Sequence, residues 1–490
     1  MTSDLPWLTH IVRPDRVGLA RLAAASAVAV ETLDRSARQG PRSQHRPAEL
    51  RALIRAIDIC PELGESLTSV LVDLGERVWT NGVSTAHPAC VAHFHSPSLV
   101  AAAVTEIAIA ATNQSMDSWD QAPAATELEL HLLRWLASEL GLPESASGVM
   151  TPGGTASNVL GLTLARSRVA ASFGHDVLAE GLPPDAHLWR IIASDQGHFS
   201  LQRAAAQLGL GRSSVIPVST DTRGRMDVDA LDVVLRDMDV LGLVPVAMVA
   251  TAGTTDFGAV DPIDEIALRA ADAGCWLHVD AAVGGAFVLS DRLRPMLTGI
   301  QRADSVTVDF HKLWFQPISA SALIARDEAQ FEFLRLHSAY LDRGDEPDGV
   351  VNLVGRSLDT SRRFDAAKVV ASLRTLGRQT MGAMLEHLVD LTAYAACAID
   401  ATPSLRLLAA PSTVTCLFDR PDVSGSVLCQ VQQRLLERGE AVIGRTIAKG
   451  QPALKLTLIN PMTTKEHVYD LVQHIAAELD RVCEGGASAD

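Results

Sequence analysis

The 490-residue sequence is poor in aromatics, at 4% with three tyrosines, and its 42 Lys and Arg are outnumbered by 58 Asp and Glu. A net charge of −16 leaves no basic face for nucleic acid or an anionic membrane surface. The seven cysteines (60, 90, 275, 397, 416, 429, 483) are odd in number and form no C-x-x-C pair, so they read as free thiols of a reducing compartment. Long hydrophobic runs are also missing. The most apolar stretch, "LVAAAVTEIAIAA" from Leu99, is interrupted by Glu106 and reads as a buried helix rather than a membrane span. The start has no basic region followed by an apolar core, so no secretory signal is evident and a cytoplasmic location is expected. No internal repeat, Walker loop, dinucleotide fingerprint or G-x-S-x-G elbow is present.

What is there is a globular composition, 47% hydrophobic and 20% charged, in a chain long enough for two or three domains. Residues 1–92 read as a helical N-terminal segment, with apolar residues at three- and four-residue spacing in "RPAELRALIRAIDIC" and "ELGESLTSVLVDLGERVW". Across 93–370, short β-rich runs ("LWRIIAS", "SSVIPVS", "PVAMVAT", "CWLHVD", "SVTVD", "SASALIA") alternate with helical stretches at 156–171, 201–208, 228–238 and 262–273. This pattern predicts an α/β domain with a mainly parallel sheet covered by helices on both faces. From 371 to 490 the pattern becomes helices with two isolated strands, "TVTCLFD" and "ALKLTLI", a small α+β domain.

Ligands of such sheets bind beyond the carboxyl ends of the strands. Four polar clusters fall there: "TPGGTASN" (151–158), "SDQGHFS" (194–200), "HVDAAVGG" (278–285) and "VDFHK" (308–312). The glycine pair opening a helix makes an anion site. Asp280, after an apolar strand, needs a positive partner such as a protonated pyridine nitrogen. Lys312 sits beside Trp314 and Phe315, where burial disfavours its charge, and a Schiff base with an aldehyde removes that cost. His198 supplies a flat ring and a proton carrier. Each residue alone could cap a strand or form an ion pair, and Asp280 and Lys312 could simply pair with each other. Together they describe a pocket for pyridoxal 5′-phosphate.

With these motifs, and with "HPACVAHFHSP", "TELE", "ATAGTTDFGAVDPI" and "SRRFDA", the sequence resembles the pyridoxal-phosphate-dependent amino acid decarboxylases of the aromatic-amino-acid and glutamate decarboxylase group. "SWDQ", "DFHK" followed by "FQP", and "SLDTSRRFDA" resemble the bacterial branch acting on lysine or 2,4-diaminobutyrate in polyamine and siderophore synthesis. The resemblance implies a type I fold of the aspartate aminotransferase kind, and a homodimer with its site at the interface. It also implies an activity: loss of CO2 from an amino acid and reprotonation at Cα to give the amine. Carried onto this chain, it makes Lys312 the Schiff-base lysine and Asp280 the partner of the pyridine nitrogen. His198 and Ala282 pack on the two ring faces, Gly154, Thr155 and His311 hold the phosphate side, and Thr251 sits near the ring.

The resemblance also leaves questions open. The loop at 341–363 lacks the tyrosine that aromatic members carry there; His198, with Tyr340 or a water behind it, is the candidate proton donor. Without that tyrosine, oxidative deamination is an alternative outcome, as are an aromatic or branched-chain substrate and a silent cofactor-binding homologue. Asp117 falls where aromatic-substrate members place a phenylalanine from the neighbouring subunit, and it or Asp120 could pair with the distal ammonium of a diamino acid; either could equally cap a turn. Phe94 and Ser96 are expected near the substrate. His87, Cys90, His93 and His95 have metal-like spacings, but the family pattern makes them a pocket-lining segment, and no metal is expected. Asp342, Asp345, Glu346 and Asp348 read as a solvated loop, and Arg362 and Arg363 as an anion anchor or a domain closure.

Overall fold

In the computed structural model, which describes residues 10–37, 40–336, 338, 340–342 and 349–487, the apolar runs of the middle region form a seven-stranded sheet. Ahead of it come helices α1 (Arg16–Ala37), α2 (Pro47–Arg55) and α3 (Leu67–Leu74), a two-residue strand β1 (Cys90–Val91), and helices α4 (Val100–Thr112) and α5 (Pro123–Glu139). The sheet strands are β2 (Ser147–Thr151), β3 (Trp189–Ser194), β4 (Val215–Val218), β5 (Val244–Thr251), β6 (Trp276–Asp280), β7 (Ser305–Asp309) and β8 (Ser321–Ala325). They lie in the order β2-β8-β7-β6-β5-β3-β4; β8 is antiparallel to both neighbours and every other pair is parallel. The intervening helices are α6 (Gly154–Ser172), α7 (Val177–Glu180), α8 (Ser200–Gln207), α9 (Val228–Leu241) and α10 (Ile263–Asp272).

Period-two alternation places Met248 and Ala250 of β5 in one core, and Ala247 and Val249 in the core on the opposite face. A strand buried on both faces reads as an unbroken apolar run for this reason. The expected helices at 156–171, 201–208, 228–238 and 262–273 match α6, α8, α9 and α10 closely.

The C-terminal part contains α11 (Ala366–Asp400), β9 (Arg406–Leu407), β10 (Thr415–Asp419), α12 (Gly425–Glu437), β11 (Val442–Ala448), β12 (Gln451–Thr457) and α13 (Lys465–Ala487). Helix α11 is broken at Gly377, whose φ of 73° suits glycine. Its buried residues up to Leu388 pack in the core around the seven-stranded sheet and those from Leu391 in the second core.

Several expectations are corrected. The two C-terminal strands are not isolated: they belong to a five-stranded sheet ordered β1-β11-β12-β10-β9. Strand β11 escaped notice because Gly444 and Arg445 interrupt its apolar pattern. The N-terminal segment is helical as expected and ends in the two-residue β1, which pairs in parallel with β11. The apolar helix after Leu99 is not buried: α4 buries only Ala102 and Ile109, leaving Val100, Val104 and Ile107 exposed, because a single face rests on the chain. Asp342 is no solvated loop residue. It is buried and paired with Arg335 at 2.9 Å, whereas Asp345, Glu346 and Asp348 lie outside the described residues. No described helix is long and apolar enough to cross a membrane.

Arg362 and Arg363 act as struts. Arg363 pairs with Glu106. The Arg362 guanidinium meets buried Glu129 at 3.1 Å and donates to the carbonyls of Met150 (3.1 Å) and Met116 (3.3 Å), tying the end of β2 to the Met116 turn. Arg362→Ala leaves Glu129 uncompensated in the interior and is expected to cost about 3–5 kcal/mol in urea unfolding; a loss under 1 kcal/mol would rule out the strut.

Candidate active site

A cavity of about 630 Å³ opens at the carboxyl ends of β5, β6 and β7 and the start of α6. Gly154, Thr155, His198, Thr251, Asp280, Ala282, His311 and Lys312, eight residues far apart in sequence, all line it. Each reaches it by the same device: a buried strand or a helix start ends at one level, and the next residues turn into the opening.

Strand β7 delivers Lys312. After Asp309 the chain turns sharply, and the aromatics beyond the lysine anchor that turn: Trp314 packs edge-on against Phe310 (5.2 Å between centroids) and Trp135 (6.3 Å). Ser96 Oγ donates to the Lys312 carbonyl (2.9 Å), Leu99 N to that of Phe315 (3.0 Å) and buried Lys368 Nζ to that of Ser319 (3.2 Å). Ser96 thus supports the lysine's backbone. Phe94 lies next to the lysine, its ring 5.8 Å from Nζ.

Lys312 does not pair with Asp280. Its Nζ lies 2.8 Å from Asp309 Oδ2, a carboxylate only 2% exposed whose Oδ1 has no hydrogen-bond partner. The motif reading passed over Asp309, although three residues before a lysine in a turn is a pairing distance. Gly154 is required beside it, because a Cβ there would lie 2.8 Å from that carboxylate. His311 Nδ1 bonds the Ala320 carbonyl (2.9 Å), leaving Nε2 3.8 Å from Asp309.

Asp280 accepts from Asn158 Nδ2 (2.8 Å, Oδ2) and from the Ala282 N–H (3.2 Å, Oδ1). Asn158 was also missed, though its place one turn after Gly154 puts it on the same side of α6. His198 Nδ1 meets Ser200 Oγ at 2.8 Å and the Ser200 N–H at 3.3 Å. Burial lowers its pKa below the usual value, Asp280 opposes that shift and Lys312 adds to it, so the imidazole is held neutral. Thr251 is set by Asp261, a buried carboxylate that accepts the Thr251 and Met226 N–H groups (2.8 and 2.7 Å) and that burial pushes up to about 7.

Asp117 does not line the cavity of its own chain; its Oδ1 accepts the Ser118 N–H at 2.7 Å. Tyr340 is 78% exposed and also outside the lining. The described residues hold no cluster of three or more His, Cys, Asp or Glu arranged for a metal.

These residues fit pyridoxal phosphate. A lysine reaches into the cavity from a buried ion pair, a carboxylate held by two donors sits at the end of the adjacent strand, and a helix start bare of Cβ offers N–H groups to a phosphate.

Comparison with known proteins agrees. The model of the pyridoxal-dependent decarboxylase conserved domain matches residues 47–419. L-2,4-diaminobutyrate decarboxylase of Acinetobacter baumannii is 40% identical over 419 residues, 82% of this chain and 82% of that protein. The enzyme of the same name from Rhizobium meliloti (strain 1021) is 39% identical over 444 residues, 88% of this chain and 86% of that one. Among solved structures, the glutamate decarboxylase domain of diaminobutyrate-pyruvate transaminase and L-2,4-diaminobutyrate decarboxylase from Vibrio parahaemolyticus superposes with a TM-score of 0.89 at 37% identity, covering 97% of this chain and 99% of that one. With a lysine, a carboxylate and a helix start built around one cavity, and with relatives that match most of its length, this chain belongs to the family of pyridoxal-dependent decarboxylases.

Proposed function

We propose that the protein decarboxylates a small diamino acid, L-2,4-diaminobutyrate first, to the diamine and CO2. The observation that carries this reading is the Lys312, Asp280 and His198 constellation in a chain about 40% identical to enzymes named for that substrate. Lysine and ornithine are the neighbouring alternatives.

Bound pyridoxal phosphate supplies an aldehyde for Lys312 and a ring that withdraws the electron pair left at Cα when CO2 departs. The chain does the rest. Asp309 aims Lys312 into the cavity and would compensate its charge whenever the amine is free. Asp280 presents a buried negative charge to the pyridine nitrogen and favours its protonated form. Neutral His198 and Ala282 would wall the ring, Thr251 would lie at its edge, and Gly154, Thr155 and His311 would hold the anionic end. Phe94 narrows the space beside Lys312.

A second copy of the chain completes the site in this reading. Helices α2 and α3 bury no residue within their own chain, and α4 leaves an apolar row exposed. Such faces suit an isologous interface, across which Asp117 would reach the partner's cavity and meet the distal ammonium of the substrate. The seven free cysteines favour a cytoplasmic setting.

Incubation of the cofactor-loaded protein with pooled L-amino acids, followed by mass spectrometry, is expected to yield 1,3-diaminopropane from 2,4-diaminobutyrate and nothing with Lys312→Ala; a monoamine sinks the diamine reading, and an aldehyde with ammonia sinks simple decarboxylation. Asp280→Asn is expected to lower kcat by at least about 10²-fold, the scale on which a preorganised electrostatic contact acts, with KM changed far less. Light scattering of the full chain should give twice the chain mass, and a monomer with full activity would remove the shared site.

A further inference from the structure

Behind Asp280 runs a buried hydrogen-bond chain that the pocket reading does not use. Trp276 Nε1 donates to Ser305 Oγ (2.8 Å), Ser305 Oγ lies 2.8 Å from His278 Nδ1, and His278 Nε2 lies 3.0 Å from Asn158 Oδ1. Thr307 Oγ1 also donates to Asn158 Oδ1 (2.8 Å). On its other side Asn158 Nδ2 donates to both Asp280 Oδ2 (2.8 Å) and Ser200 Oγ (2.9 Å). All these side chains are buried, and helix α6 approaches closely enough because Gly161 has no Cβ; one would lie 2.7 Å from the His278 ring.

The ends of this chain permit one polarity. Trp276 can only donate and ionised Asp280 can only accept. Asn158 therefore turns Nδ2 to Asp280 and its oxygen to His278, which must carry its hydrogen on Nε2 and accept at Nδ1 from the Ser305 hydroxyl, itself accepting from Trp276 Nε1. The His278 hydrogen and the Thr307 hydroxyl both point at the Asn158 oxygen, so the amide cannot flip without setting its oxygen against the Asp280 carboxylate. The second Nδ2 hydrogen goes to Ser200 Oγ, and because His198 Nδ1 accepts the Ser200 N–H it also accepts the Ser200 hydroxyl, which leaves the His198 hydrogen on Nε2. Burial lowers the His278 pKa to about 4, so this imidazole stays neutral at ordinary pH and keeps its single hydrogen in place.

We infer that Asn158, locked by His278, is the positioning residue that sets the hydrogen-bonding state of both cofactor contacts at once, Asp280 and His198. The inference rests on the proposed pyridoxal phosphate chemistry and deepens it. Asn158 Nδ2 and the Ala282 N–H hold the two Asp280 oxygens by direct hydrogen bonds, so the carboxylate would stabilise a proton on the pyridine nitrogen from a fixed position. Without Asn158 that hold, and the ring protonation it supports, would weaken.

The test uses the full-length protein reconstituted with pyridoxal phosphate labelled with ¹⁵N in its ring. In wild type the ring nitrogen signal should report a protonated pyridine at pH 7. Asn158→Ala should shift that signal toward the unprotonated form, move its pH titration, and lower kcat by about 10-fold to 100-fold, the range seen when a residue that holds a ligating side chain is lost, with KM largely unchanged. His278→Gln, which retains an N–H, should keep the wild-type signal, while His278→Phe should follow Asn158→Ala; this pair carries the test if Asn158→Ala does not fold. An unshifted ring signal and kcat in folded Asn158→Ala, or in folded His278→Phe, would overturn the inference alone. A wild-type protein that takes up no cofactor would overturn the functional reading, and the inference with it.

Discussion

A carboxylate buried at the end of a strand survives only where donors surround it, and the contact between Asp280 and Asn158 meets that demand. Much of the site follows from that pair. For the amide to reach the carboxylate, α6 must lie close against β6 and β7, which its glycines at 154 and 161 allow. The same approach places the start of α6 beside Asp309, and therefore beside Lys312.

Two carboxylates on adjacent strands would repel if both faced one space without compensation. They are kept apart in function by their partners: Asp309 faces an ammonium, whereas Asp280 faces neutral amide donors. One is already matched and the other retains a charge to offer a cationic ligand. In the proposed function a lysine released and recaptured would need a partner of its own, and a carboxylate meant for the ring would have to stay clear of that lysine. Distribution of the charges between two strands satisfies both requirements.

Much of this was legible in the sequence because parallel strands buried on both faces leave unbroken apolar runs, and the polar residues that end them mark the level of the cavity. The eight residues assigned to the cofactor converge for that reason. Residues whose role depends on a neighbour from another element were not legible. Ser96 looks like any loop serine until it meets the Lys312 carbonyl, Arg362 until it meets Glu129, and Asp342 reads as solvated until Arg335 covers it. Strand β11 was hidden because its part beyond the short pairing with β1 carries Arg445 and Thr446 where a core strand carries valine.

The sequence by itself determined the α/β class and the level at which the strands end, where it set Lys312, Asp280 and His198, because these depend on local periodicity and on residue type. Only the tertiary structure decided which charge pairs with which. It set Lys312 against Asp309, ruling out the alternative of a Lys312–Asp280 pair, and brought His278, Asn158 and Ser200 into one network. Hydrogen-bond partners are chosen by distances of a few ångströms between segments more than a hundred residues apart, and such distances exist only after the helices have packed onto the sheet.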